Sequence, residues 1–159
     1  MREQIQARVN DLPDPEIPVL TLGDLGVIRS IDINDDGISV GIAPTSSGCP
    51  ATEYIEESVI RALREDGYEN VTTTRVLSPP WTTDWISDNG REKLLQYGIV
   101  PPDKAAESKR ALFNDSVPVG CPRCQSTNTA RVSEFGSTPC KASYKCNECL
   151  EPFEYFKCL

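Results

Sequence analysis

The chain has 159 residues, 38% of them hydrophobic and 25% charged, with a formal net charge of −8 and no histidine. That length fits one ordinary domain, or one domain plus a small metal-stabilised module. The missing histidine excludes Ser-His-Asp and Cys-His catalysis, histidine-ligated zinc enzymes and Glu-x-x-His di-iron sites, so a bound metal must rest on cysteine, with aspartate or glutamate in support.

The net negative charge falls wholly on residues 1–111, whereas residues 112–159 balance acids and bases. An acidic chain repels phosphates, which argues against a nucleic-acid partner. No apolar run approaches the ~18 residues that span a bilayer, and MREQIQARVN lacks a secretory core. The expected location is therefore cytosolic, with no membrane partner. Seven cysteines in such a chain point to metal or redox chemistry more than to disulfides.

Residues 1–12 read as a short helix, with Ile5, Val9 and Leu12 at helical spacing, and Pro13, Pro15 and Pro18 end it. Val27 to Ile33 reads as a strand with Ile31 and Ile33 inward. Asn34-Asp35-Asp36-Gly37 supplies a turn, and Ile38, Val40 and Ile42 alternate on the return strand. From Pro50 to about Asp66, Ala51, Ile55, Val59, Ala62 and Leu63 form one helical face, and Gly67 closes the helix. Val71 to Leu77 is rich in β-branched residues and reads as a third strand. Trp81 and Trp85 follow in a stiff, proline-containing segment and are expected to pack against the sheet rather than stack on a ligand. Residues 87–97 can form a last short helix. The order α-β-β-α-β predicts a two-layer α+β domain over residues 1–98. Prolines 101, 102 and 118 around a charged segment make 99–118 a linker.

Cys49 is the only cysteine of the first 120 residues, and it precedes Pro50 in TSSGCPATEY. Proline suits the first helical position, which makes Cys49 the predicted N-cap. There the helix dipole and unpaired N–H groups favour a thiolate, while Glu53, Glu56 and Glu57 oppose it. The plainer reading is a small buried thiol closing a turn.

The other six cysteines follow Val119. Cys121-Pro122-Arg123-Cys124 and Cys146-Asn147-Glu148-Cys149 are two C-x-x-C knuckles separated by 21 residues. Two residues between ligands let one tight turn aim both sulfurs at one ion, and two such turns make a closed tetrahedral site. Ala130–Phe135, Ser143–Lys145 and Glu154–Phe156 can supply the strands of a zinc ribbon over 119–159. So small a unit needs a metal staple, for which zinc fits better than iron. Cys140 and Cys158 are left over, either as two buried thiols or as a disulfide, an alternative ligand or a second thiol site. The aromatic end, Phe153, Tyr155 and Phe156, is expected to dock a partner.

DLPDPEIPVLTLGDLGVIRSI and APTSSGCPATEYIEESV together resemble the iron–sulfur cluster assembly (FSCA-type) domain, in which an Asp-Pro-Glu loop, an Asp-Leu-Gly turn and a Cys-Pro after a Thr-rich loop recur. With SEFGSTPCKASYKCNECLEPFEYFKCL added, nearly the whole chain resembles the PaaD family of the phenylacetyl-CoA epoxidase system. The resemblance implies the same α-β-β-α-β fold. It makes Cys49 the reactive thiol, with Asp24, Thr45 and Glu16 near it in handling a transient iron or iron–sulfur cluster. It implies an accessory role in epoxidase maturation rather than catalysis, with the oxygenase or ferredoxin-reductase subunits as partners. A non-catalytic structural component of that complex is the alternative. A thiol-dependent enzyme is disfavoured because no histidine can activate Cys49.

Overall fold

A computed structural model describes residues 1–45, 50–101, 119–137 and 141–156. The chain divides into two compact units, Met1–Gly90 and Arg91–Cys158.

The first unit opens with helix α1 (Arg2–Asn10), which buries Ile5 and Val9, and a four-residue helix α2 (Leu22–Leu25). Between them Asp14 organises the proline-containing loop, where its buried Oδ2 accepts the N–H groups of Glu16 (3.0 Å) and Ile17 (2.8 Å). Its own N–H donates to the Leu20 carbonyl at 2.8 Å, so a segment without regular structure still satisfies its buried backbone.

Strands β1 (Ile28–Asn34) and β2 (Gly37–Ile42) form the predicted antiparallel hairpin, and Ile31, Ile38, Val40 and Ile42 are buried. Helix α3 (Pro50–Glu65) begins at the proline and buries Ile55, Val59, Ala62 and Leu63. It leads to β3 (Val71–Arg75), which pairs parallel to β2 and gives the sheet order β1-β2-β3. Helix α3 thus serves as the crossover that a parallel pair requires. A bidentate Arg75–Glu56 pair (2.8 and 3.0 Å) ties the exposed end of β3 to α3. Helix α1 packs on α3, β1 and α2.

Trp81 is buried and its indole N–H donates to the Leu25 carbonyl at 2.7 Å, so it packs the domain as expected. Trp85, in a single 3₁₀ turn (Thr83–Trp85), lies 3.8 Å below the Arg29 guanidinium. Gly26 ends α2 with φ +70°, and a Cβ there would come within 2.7 Å of the Trp85 carbonyl oxygen. Helix α4 (Asp88–Gln96) fills the region expected to be helical.

The second unit is built on a four-stranded sheet in the order β4-β7-β6-β5. Its strands are β4 (Ile99–Val100), β5 (Thr129–Ser133), β6 (Lys141–Cys146) and β7 (Pro152–Phe156). The three later strands are antiparallel neighbours, close to the segments expected. Two expectations need correction. Residues 99 and 100, read as the start of a linker, form β4 and pair parallel with Glu154 and Tyr155 of β7; the rest of that linker from 102 lies outside the described residues. Phe153, Tyr155 and Phe156, read as a docking surface, are buried. Strand β7 has a neighbour on each side, and its Phe153 and Tyr155 belong to the small core of the unit.

Candidate metal centre

The two knuckles repeat one backbone design. The N–H of Cys121 donates to the Ser126 carbonyl, and that of Cys146 to the Glu151 carbonyl, both at 2.9 Å. The residue after each second cysteine, Gln125 (φ 63°) or Leu150 (φ 64°), is left-handed and closes the turn. The first cysteine of each knuckle is buried, whereas Cys124 is exposed and Cys149 half-buried.

This local folding brings four sulfurs together. Cys121 Sγ lies 3.6 Å from Cys149 Sγ, and Cys124 Sγ lies 3.5 Å from Cys146 Sγ. All four ligand atoms fall within 4.8 Å of one another. A tetrahedral ion with metal–sulfur bonds of about 2.3 Å has sulfur–sulfur edges of about 3.8 Å. Two opposite edges are therefore already near that size, each joining one knuckle to the other. The residues fit a four-thiolate metal site. The surrounding core is small: Val119, Phe153 and Tyr155 are buried with Cys121 and Cys146, and Tyr144 lies 5.8 Å from both Phe153 and Tyr155 between ring centroids.

The electrostatics favour a cation. Burial pushes the Cys121 thiol up, but the N–H groups of Cys124 and Arg123 and the thiols of Cys149 and Cys124 outweigh it and leave it lowered to about 7. Cys146 is also lowered, chiefly by the Cys149 N–H. At Cys149 the Glu151 N–H favours the thiolate, yet burial and the thiols of Cys124, Cys121 and Cys146 prevail and push it up to about 12. Four sulfurs this close cannot all ionise unless positive charge is placed among them.

The candidate residues of the first unit stand differently. Asp24 is buried at the third position of α2 in a capping box: its Oδ2 accepts the Thr21 N–H, and its N–H donates to Thr21 Oγ1, both at 3.1 Å. Its Oδ1 accepts from Ser87 Oγ (3.2 Å) and Asn89 Nδ2 (3.4 Å). Both carboxylate oxygens are thus engaged in holding α2 to the start of α4. Glu16 and Thr45 are half-buried. Cys49, Cys140 and Cys158 lie outside the described residues.

Two family models match, an iron–sulfur cluster assembly protein family over residues 2–74 and the PaaD zinc beta ribbon domain over 105–157. A protein of Escherichia coli K12, provisionally named as a 1,2-phenylacetyl-CoA epoxidase subunit, is 47% identical over 156 residues, which is 98% of this chain and 92% of that one. The chain belongs to the PaaD family. A Porphyromonas gingivalis protein named Fe-S protein maturation auxiliary factor is 32% identical over 62% of this chain and 91% of its own. A DUF59 domain from Bacillus anthracis shares the fold, with a TM-score of 0.54 at 21% identity over 58% of this chain and 90% of that domain. The PaaD chain therefore joins an assembly-family domain to a ribbon.

Sequence reading finds the four ribbon cysteines but misses the residues that join the knuckles. Arg123 Nη1 donates to Glu151 Oε2 at 2.8 Å, and Asn128 bonds Asn147 and Glu148. No spacing rule marks them, because their partners come together only once the turns have formed. Among the described residues no helix is long and apolar enough to cross a membrane.

Proposed function

We propose that the chain is a cytosolic maturation factor for the phenylacetyl-CoA epoxidase, assisting the insertion of iron or an iron–sulfur centre into the oxygenase or ferredoxin-reductase component. One observation carries this reading: a single chain holds both an assembly-family domain and a PaaD ribbon, and it aligns nearly end to end with the Escherichia coli protein. The metal or cluster in transit is cargo. Cys49 is its transient ligand, since one thiolate accepts a metal and releases it more readily than a four-sulfur cage. Glu16 and Thr45 assist near it, and Asp24 supports them by holding its capping network. The chain does not perform the oxidation, because it has no histidine base and no histidine-containing oxygenase metal pattern.

The ribbon's resident metal is zinc, one per chain, held by Cys121, Cys124, Cys146 and Cys149. Bound zinc cross-links the two knuckles and supplies no redox chemistry. Elemental analysis of the purified chain should return one zinc and little iron; folded protein without metal, or with iron in its place, would refute this assignment.

A deletion strain tests the function. It should still make the epoxidase polypeptides, with one iron centre empty or underloaded. Complementation by the wild type, and not by Cys49→Ala, should restore iron content and activity together. Full iron occupancy with activity still lost would instead make the chain a structural component of the complex.

A further inference from the structure

Among the described residues, the side-chain contacts between the knuckles that bypass the sulfurs follow two separate tracks. On one, Arg123 inside the first knuckle donates to the Glu151 carboxylate at 2.8 Å, and the Glu151 carbonyl accepts the Cys146 N–H of the second knuckle. On the other, the Asn128 main-chain carbonyl accepts the Asn147 N–H at 2.9 Å and its side-chain oxygen accepts Asn147 Nδ2 at 3.1 Å. Asn128 Nδ2 donates to Glu148 Oε1 at 2.9 Å. Asn128 is tied back to the first knuckle, because its N–H donates to Ser126 Oγ at 3.1 Å and the Ser126 carbonyl accepts the Cys121 N–H.

We infer that the Arg123–Glu151 pair and the Asn128–Asn147–Glu148 network form a two-part clasp that slows release of the ribbon's metal. This rests on the reading of that metal as resident. A four-sulfur ion leaves stepwise, and after the first metal–sulfur bond breaks, re-formation competes with escape. Contacts that hold the knuckles together keep the freed sulfur at high effective concentration, which favours re-formation. Each contact is exposed and weak alone, so each should slow release by about two- to fivefold rather than by orders of magnitude. The residues are positioning residues, since none supplies a ligand atom.

The test uses the full chain, loaded with zinc and mixed with excess 4-(2-pyridylazo)resorcinol, with release followed by absorbance. A variant isolated metal-free is reloaded first. Arg123→Ala and Glu151→Ala should each speed release about two- to fivefold, and the double variant should be no faster than either. The swapped pair Arg123→Glu/Glu151→Arg should return to the slow rate. Asn128→Ala should act similarly, and combined with Arg123→Ala it should multiply the effect. Wild-type rates in every variant, or independent effects of Arg123 and Glu151, would overturn the clasp. So would a swapped pair that stays fast, because Arg123 would then act through its charge on the sulfurs. A wild-type chain that binds no zinc at all would instead refute the resident metal itself.

Discussion

Asp24 sits where an Asp-Leu-Gly turn reads as part of a thiol site, yet its carboxylate accepts one backbone and two side-chain hydrogen bonds within the fold. Removing it leaves part-buried donors unsatisfied and abolishes the capping box. Asp24→Ala should therefore cost about 2–4 kcal/mol in urea unfolding, and Asp24→Asn less, because an amide oxygen still accepts from Thr21. A urea midpoint for Asp24→Ala equal to that of the wild type would show the cap to be dispensable. The ribbon thiols carry a pH dependence whose sign follows from their shifts. In the metal-free fold the lowered Cys121 contributes stability that is complete above its ordinary 9.0 and lost as pH falls through about 7. Raised to about 12, Cys149 contributes in the opposite sense, with stability complete below 9.0 and lost as pH rises toward 12. A bound metal takes all four as thiolates, so Cys149 must give up its proton at any pH below that range and metal retention must fall on acidification. Zinc uptake followed with a pH indicator should release at least one proton per ion near neutrality. Retention that stays constant from about pH 8 to 5 would contradict four-thiolate binding.

Elements with a repeating pattern are readable from the chain, and those defined by a single contact are not. The alternation of Ile38, Val40 and Ile42 marks β2, and the 3.6-residue stripe of Ile55, Val59, Ala62 and Leu63 marks α3. Helix α2 has only four residues and no period; its signal is the Thr21/Asp24 box, which looks like a turn until Ser87 closes on it. Strand β4 is two residues long and exists only because β7 offers an edge. Adjacent burial of Tyr155 and Phe156 breaks the alternation of a one-sided strand, as a central strand does. At the candidate site the knuckle spacing locates the four cysteines that come together, while a lone thiol such as Cys49 has no spacing to locate its neighbours. The end of α3 gives an element-scale test. Gly67 N–H donates to the Arg64 carbonyl and Tyr68 N–H to Leu63, the paired closure that needs a left-handed residue, and Gly67 has φ +98°. A Cβ there would meet nothing within 4 Å, so only the backbone conformation opposes substitution. Gly67→Ala should cost about 1–2 kcal/mol in thermal or urea unfolding. No loss would mean that the helix end relaxes to another closure.

At the scale of the whole molecule, the two units meet the same problem by different means. Unit Met1–Gly90 covers a three-stranded sheet with helices and buries a run of aliphatic residues from Ile5 to Ile86. The ribbon's buried cluster is Val119, Cys121, Cys146, Phe153 and Tyr155, so two of its five members are also cysteines of the candidate metal site. Removing the ion therefore takes away a cross-link and leaves thiols of unlike ionisation in the centre of that core. Among the described residues the first unit shows no such dependence, because its core is aliphatic apart from Trp81 and its buried carboxylates, Asp14 and Asp24, accept from backbone and side-chain donors. We therefore expect chelation, or Cys146→Ser, to unfold the ribbon while the first unit stays folded. Limited proteolysis after metal removal should cut between residues 119 and 156 and leave a resistant fragment containing 1–90, with α-helical circular dichroism largely retained. Equal protection of both regions in metal-free protein would show that the ribbon's core suffices without its ion. Simultaneous loss of both would show that the fold of the first unit depends on the ribbon.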